Sequence, residues 1–294
     1  MRSSDSLGGV DVQRRIGRRA RRLEAWIRPL ARVGYVAKGA VYLVLGAYTG
    51  RAAVSAARPD GVRGSLAHLV EQPFGQLVLG AVAFGLLAYS AWLFVRAFLD
   101  ADRQGAALLG LIRRAGNALS GLTFLALAAF SAEVALRGWG SGSEQASEHL
   151  AAVLLAPPFG PWALVLAGLG AFGVAVNYFV VAFTGMFLQF LDLRGLGGRR
   201  AAALRALGQF GLLARGVVFG TLGVLLARAG WLDDPRKAGG LAEALRALGR
   251  PPLGPWVLGA VALGFVALGL YSLLQARYRR VSLRGGGREG VPSR

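Results

Sequence analysis

The stretch Pro73-Phe74-Gly75-Gln76-Leu77-Val78-Leu79-Gly80-Ala81-Val82-Ala83-Phe84-Gly85 has two echoes further along the chain. Pro158-Phe159-Gly160 opens a second apolar run and Pro252-Leu253-Gly254 a third, and each reaches another glycine ten residues later, Gly170 and Gly264. A preceding segment repeats with the same register: Gly34 and Gly39, Gly116 and Gly121, Gly211 and Gly216. An aromatic follows each pair three residues later, Tyr42, Phe124 and Phe219. Self-similarity at a fixed period is read before any local motif, because it sets the architecture. It predicts three equivalent hairpins, with any chemistry at their shared interface.

Composition says what the hairpins are made for. The chain has 294 residues, 54% of them hydrophobic, and a formal net charge of +19. Only 17% are charged, against about 25% in a typical soluble domain. Mean hydropathy is +0.49. The arginines cluster between apolar stretches, as expected where hydrocarbon excludes charge. A nucleic-acid module would instead lay its cations along one helix face or among aromatics, so nucleic acid is not an expected partner. With no cysteine there is no disulfide, thiolate nucleophile or cysteine metal site. The first residues lack the short apolar core and small-residue cleavage site of a signal peptide.

A bilayer core takes roughly 20 apolar residues per helix. Six segments qualify, near 33–55, 75–98, 115–137, 161–190, 209–231 and 255–276, the fourth long enough to project past the bilayer. The loops alternate in charge. The chain through Arg32 holds nine Arg against three acids, and the tail from Arg277 to Arg294 holds six Arg. Arg96, Arg103, Arg113 and Arg114, then Arg194, Arg199, Arg200 and Arg205, mark the other basic connections. The positive-inside rule places both termini in the cytoplasm of a bacterial inner membrane. Each outer loop ends in a segment of helical period: Leu66, Leu69 and Val70; Leu150, Val153 and Leu154; Leu241, Leu245 and Leu248. These read as amphipathic helices at the outer interface, or as ordinary structured loops.

The fold expected is all-α: a polytopic membrane protein with six transmembrane helices in three parallel two-helix repeats and short amphipathic helices in the outer loops. Two spans per unit give every unit the same orientation, so the repeats are parallel; a pseudo-threefold bundle is expected rather than a linear row of hairpins, which would leave more small-residue faces towards lipid. The division is a basic arm at 1–27, repeats at 28–108, 109–200 and 201–280, and a basic flexible tail at 281–294.

One layer stands out for chemistry. Gly34, Lys38 and Tyr42 are spaced i, i+4, i+8, as are Gly116, Ser120, Phe124 and Gly211, Arg215, Phe219, so each set shares a helix face. The middle residues lie roughly 7–8 Å inside the basic end of their spans at 1.5 Å per residue. Lys38 and Arg215 can snorkel to headgroups, form a cationic constriction with Ser120, or pair with Asp100 or Asp192. Asn177 is mid-span where the other repeats have Trp92 and Tyr271, a position suited to an interhelical hydrogen bond. Glu133, near the outer end of its span, is a candidate because intramembrane ionisable groups tend to be functional. His68 and His149 in corresponding loops are weak evidence for metal. The glycines read as packing surfaces, with Gly216 and Gly220 matching a helix-pairing motif. No nucleophile–base set appears, so the chain does not read as an enzyme, and no metal or cofactor is expected.

The run from Arg32 to Tyr42, with its two weaker copies and the Pro-x-Gly openings, resembles a bacterial membrane family catalogued as the domain of unknown function 1206 family. The resemblance covers roughly residues 28–280. The second copy departs most, with Asn117 in place of Tyr35 and Ser120 in place of the cation. It implies six spans in three repeats and brings no activity. The readings that remain are a non-catalytic scaffold or accessory subunit binding lipids or partner helices, and a small transporter or channel lined by Lys38, Ser120 and Arg215. A lipid-acting enzyme is a third, with no residues to nominate. The partners expected are anionic lipid headgroups at the cytoplasmic face, and a membrane-protein partner or a second copy.

Overall fold

The computed structural model describes residues 5–55, 58–99, 107–138, 160–191, 197–232, 240–250 and 252–278. The helices are α1 (Asp5–Ser55), α2 (Val62–Ala67), α3 (Gly75–Phe98), α4 (Leu108–Arg137), α5 (Gly160–Thr184), α6 (Gly198–Trp231), α7 (Leu241–Leu248) and α8 (Gly254–Tyr278). Six contain stretches long and apolar enough to cross a bilayer: Pro29–Ser55 of α1, α3, Gly110–Arg137 of α4, α5, α6 and α8. Repeat 1 supplies α1 and α3, repeat 2 supplies α4 and α5, and repeat 3 supplies α6 and α8. The protein is a multi-pass membrane protein. The second outer segment, with Leu150, Val153, Leu154 and His149, lies outside the described residues, as do Asp100 and Asp192.

The fourth span is shorter than the apolar run predicts. It stops at Thr184 because Gly185 takes a left-handed conformation (φ 69°), and a 3₁₀ turn over Met186–Phe190 follows. That turn drives Phe187 against Gly208 of α6. A backbone reversal here is invisible to hydropathy, since the turn itself is apolar. At the other rim the left-handed turn of the Pro-x-Gly entry falls on Phe74 and not on the glycine. Phe74 adopts a left-handed conformation (φ 63°), and Gly75 comes so close to the Leu69 carbonyl that a β-carbon would not fit.

The spans follow one another in the order α4, α3, α1, α8, α6 and α5, an incomplete ring that ends at α4 and α5. Each odd span packs on the even span of the preceding repeat in cyclic order: α4 on α3, α6 on α5 and α1 on α8. The three contacts are equivalent residue for residue. A β-carbon at Gly39 would lie 2.8 Å from Leu273, one at Gly121 3.1 Å from Phe94, and one at Gly216 3.1 Å from Phe179. Small residues bring helix backbones together where lipid offers no hydrophobic gain from association. Ser90 uses the closeness to donate to the Gly121 carbonyl at 2.8 Å.

Crossings within a repeat are equivalent in only two cases. In repeat 1, a β-carbon at Gly34 would sit 2.6 Å from Tyr89 Cα, and Ala37 occupies the space beside Gly85. In repeat 3, Gly211 meets Leu268 at 2.8 Å and Ala214 occupies the space beside Gly264. In repeat 2, nothing among the described residues lies within 4 Å of a β-carbon at Gly116 or Gly170, and α4 makes no comparable contact with α5. The threefold ring is therefore open along one seam. The residue that should nestle against Gly170 is Leu119, not alanine, and it is 66% exposed. Its isobutyl group cannot enter the space that a single methyl fills in the other repeats.

The rims differ. At one, Arg114 of α4 donates from Nε to the Ala97 carbonyl (2.7 Å) and from a terminal nitrogen to the Phe98 carbonyl (3.1 Å). It thereby satisfies carbonyls that the end of α3 leaves open. At the opposite rim, α2 buries Leu66 against α1 and the α4 side, and α7 buries Ala244 and Leu245 against α6 and α8. Leu66 is thus inside, whereas Leu69 and Val70 fall in the turn that follows α2. His68 lies between Asp60 (3.0 Å) and Glu71 (3.7 Å) and stacks on Tyr48 of α1, with ring centroids 5.1 Å apart. These contacts fasten the segment that follows α1 to the first span.

Candidate functional site

The layer of Lys38, Ser120 and Arg215 lies in the half of the ring nearer the rim of Arg96, Arg114 and Arg199. Helical spacing puts each cation one turn from an aromatic of its own helix, and the ring geometry adds aromatics from neighbours. The Lys38 ammonium is 5.2 Å from the Tyr89 ring of α3, 5.9 Å from Tyr35 and 6.0 Å from Tyr42. The Arg215 guanidinium is 4.8 Å from Tyr178 of α5, 5.4 Å from Phe219 and 5.5 Å from Tyr42 of α1. Tyr42 is therefore common to both cations. Tyr35, Tyr42 and Tyr89 are buried, so the two side chains run between helices and into the ring.

Aromatic faces attract cations through their quadrupole, by about 0.5–2 kcal/mol per contact depending on desolvation. A ring face is at most a weak hydrogen-bond acceptor for a guanidinium lying over it. Arg215 Nε is buried without a hydrogen-bond partner. Among the described residues no carboxylate lies within 4.0 Å of Arg215. The Nδ2 of Asn117, one turn before Ser120 on α4, is likewise buried and unpartnered. Both unmet groups are donors. Arg215 Nε lies unpaired beside the aromatic rings that line the cation.

The other sequence candidates scatter. Trp92 and Tyr271, which match Asn177 in repeat register, are buried and hydrogen bonded. Trp92 Nε1 donates to the Tyr35 hydroxyl at 3.3 Å; the Tyr271 hydroxyl donates to the Phe187 carbonyl at 3.4 Å and accepts from Gln275 Nε2 at 3.3 Å. Asn177 instead is exposed, on the α5 wall of the open seam. Ser120 is half-buried, and Glu133 is half-buried near the opposite rim without an ion-pair partner among the described residues. Among those residues there is no group of three potential metal ligands.

The model of the family described as Domain of Unknown Function (DUF1206) matches three segments, residues 33–100, 115–185 and 210–279. The chain belongs to this family. Each match spans one hairpin of the ring, from the first helix glycine to the end of the even span. An uncharacterized protein, YxxB, of Bacillus subtilis strain 168 is 28% identical over 257 residues, which is 87% of this chain and 93% of that protein. No solved structure matches.

What sequence reasoning missed in this DUF1206 chain is the set of tyrosines around the cations. Tyr42 carried a signal, since it was the aromatic of the repeat. Tyr89 and Tyr178 did not, because they are not in repeat register: Tyr89 matches Val174 and Leu268, and Tyr178 matches Leu93 and Ser272. They converge only once the helices are packed.

Proposed function

We propose that this DUF1206 protein is a non-catalytic membrane protein that binds the anionic headgroup of a phospholipid between Lys38 and Arg215. The observation that carries the reading is the pair of inward-facing cations sharing Tyr42, with the Arg215 Nε donor unfilled. In this reading the arginine-rich rim faces the cytoplasm of a bacterial inner membrane, where anionic lipids and the positive-inside rule agree. Lipid bound in this way suits a scaffold or accessory subunit, in which the bound molecule completes the helix packing.

The test is lipid retention. Protein purified in neutral detergent is incubated with phosphatidylglycerol or phosphatidylcholine, washed, and assayed for bound phosphorus. Phosphatidylglycerol should be retained in preference. Hydrogen bonds to a charged group contribute about 1.5–3 kcal/mol, so Lys38→Ala and Arg215→Ala should each lower retention about tenfold or more. Equal retention of both lipids, or no effect of either substitution, would end the proposal.

The same inward cations favour a second reading, a small anion channel or transporter with its path on the ring axis past Lys38, Ser120 and Arg215. Anion flux into liposomes, lost on Arg215→Ala, would support it over lipid binding.

A further inference from the structure

We infer that the open seam between α4 and α5 is the site where the bound lipid enters and lodges one acyl chain, with its headgroup reaching Arg215 and Asn117. This rests on the lipid-binding reading and goes beyond it in assigning the entry route and the second half of the ligand.

The seam is built into the sequence of repeat 2. Among the described residues, its two crossing glycines, Gly116 and Gly170, have nothing within 4 Å of where a β-carbon would stand, and neither does Gly173. Leu119 replaces the alanine that closes the other two repeats. Gly116, Leu119, Gly170 and Gly173 give it a smooth apolar surface at hydrocarbon depth. Asn117 and Asn177, at equivalent depth on the two walls, occupy the places of Tyr35 and Trp92, which hydrogen bond across the closed crossing of repeat 1. Here that bond is not made: Asn117 Nδ2 is buried and unpartnered while Asn177 is exposed.

Both walls lead to the cations. Tyr178 follows Asn177 on α5 and is the ring nearest the Arg215 guanidinium. On α4, Phe124 packs edge-on against Tyr89 at 4.8 Å, and Tyr89 is the ring nearest Lys38. An apolar slot ending at unfilled donors and positive charge matches an anionic amphiphile in both parts. A second copy of this chain fits poorly, because it would bring the same cations to the same place.

The experiment fills the seam and leaves the cations alone. Gly170→Leu/Gly173→Leu should keep the melting temperature of the parent in detergent and lower phosphatidylglycerol retention about tenfold. Leu119→Ala, which lets the walls approach, should lower it as well, and serves if the double variant melts early. If Lys38→Ala and Arg215→Ala abolish retention while the seam variants retain lipid fully, entry is elsewhere and only this inference fails. If none of the four affects retention, the binding reading fails with it. Soluble glycerol phosphate that displaces the lipid at equal concentration would show a site for the headgroup alone and overturn the acyl-chain assignment. A disulfide-linked dimer formed in membranes by Gly173→Cys, in a chain with no native cysteine, would place a second copy in the seam and overturn it too.

Discussion

Ala37 of α1 occupies the space that a β-carbon on Gly85 of α3 would need, and Ala214 does the same at Gly264. Both pairs lie where the two spans of a repeat cross, so neither member can grow unless the helices separate. Overpacking of this kind costs about 1–3 kcal/mol. Gly85→Leu and Gly264→Leu should each lower the melting temperature in detergent markedly. Gly170→Leu, at the same register in repeat 2, should leave it unchanged. Equal losses at all three positions would mean that the seam of repeat 2 is closed.

Tyr42 sits under two cations from different helices, and its ring lies tilted against Phe265 of α8 with centroids 6.1 Å apart. Removing its ring takes away two cation–π contacts of about 0.5–2 kcal/mol each together with buried area. Tyr42→Ala should be among the most destabilising single changes in the ring, whereas Tyr42→Phe keeps the ring face and should stay within about 0.5 kcal/mol. Thermal unfolding of the two variants side by side checks this. A large loss in Tyr42→Phe would show that the hydroxyl, not the ring face, matters.

Trp92 donates across the repeat 1 crossing to the Tyr35 hydroxyl. Interhelical hydrogen bonds in membranes average about 0.6 kcal/mol and rarely exceed about 1.7 kcal/mol. Trp92→Phe removes the donor and part of a buried ring, so it should destabilise by more than Tyr35→Phe, which removes only the hydroxyl and should cost near 0.6 kcal/mol. The double-mutant cycle measures the bond itself. A coupling of zero would make the 3.3 Å contact a by-product of packing.

The repeat made the architecture legible because it wrote the same turns and the same glycines three times. Six spans, parallel hairpins and the outer helices Val62–Ala67 and Leu241–Leu248 all follow from Pro-x-Gly entries and apolar period. The break in the ring did not follow, although its cause was in plain view. Leu119 stands where Ala37 and Ala214 do, and a leucine in an apolar helix raises no signal until one knows that its position is a crossing point. Gly116 and Gly170 look like packing glycines by analogy with their copies, but a glycine packs only if its partner is small. The cationic layer was legible through Lys38 and Arg215. Its tyrosine lining was not, because Tyr89 and Tyr178 fall out of register and meet through tertiary structure alone.

The size of residue 119 should therefore set the width of the seam, and the absence of native cysteine makes that measurable. In the parent background, Asn117→Cys/Asn177→Cys places two thiols at equivalent depth on separated walls. Disulfides need β-carbons about 3.5–4.5 Å apart, and among the described residues α4 and α5 make no contact comparable to the closed crossings. Oxidation of the double-cysteine protein should leave the thiols free. Adding Leu119→Ala restores the methyl found in repeats 1 and 3 and lets Gly170 approach α4, so the intramolecular disulfide should form. Leu119→Val, still branched at the crossing, should cross-link little. Rapid cross-linking with Leu119 in place would show that the walls already meet, and the opening would then owe nothing to this side chain.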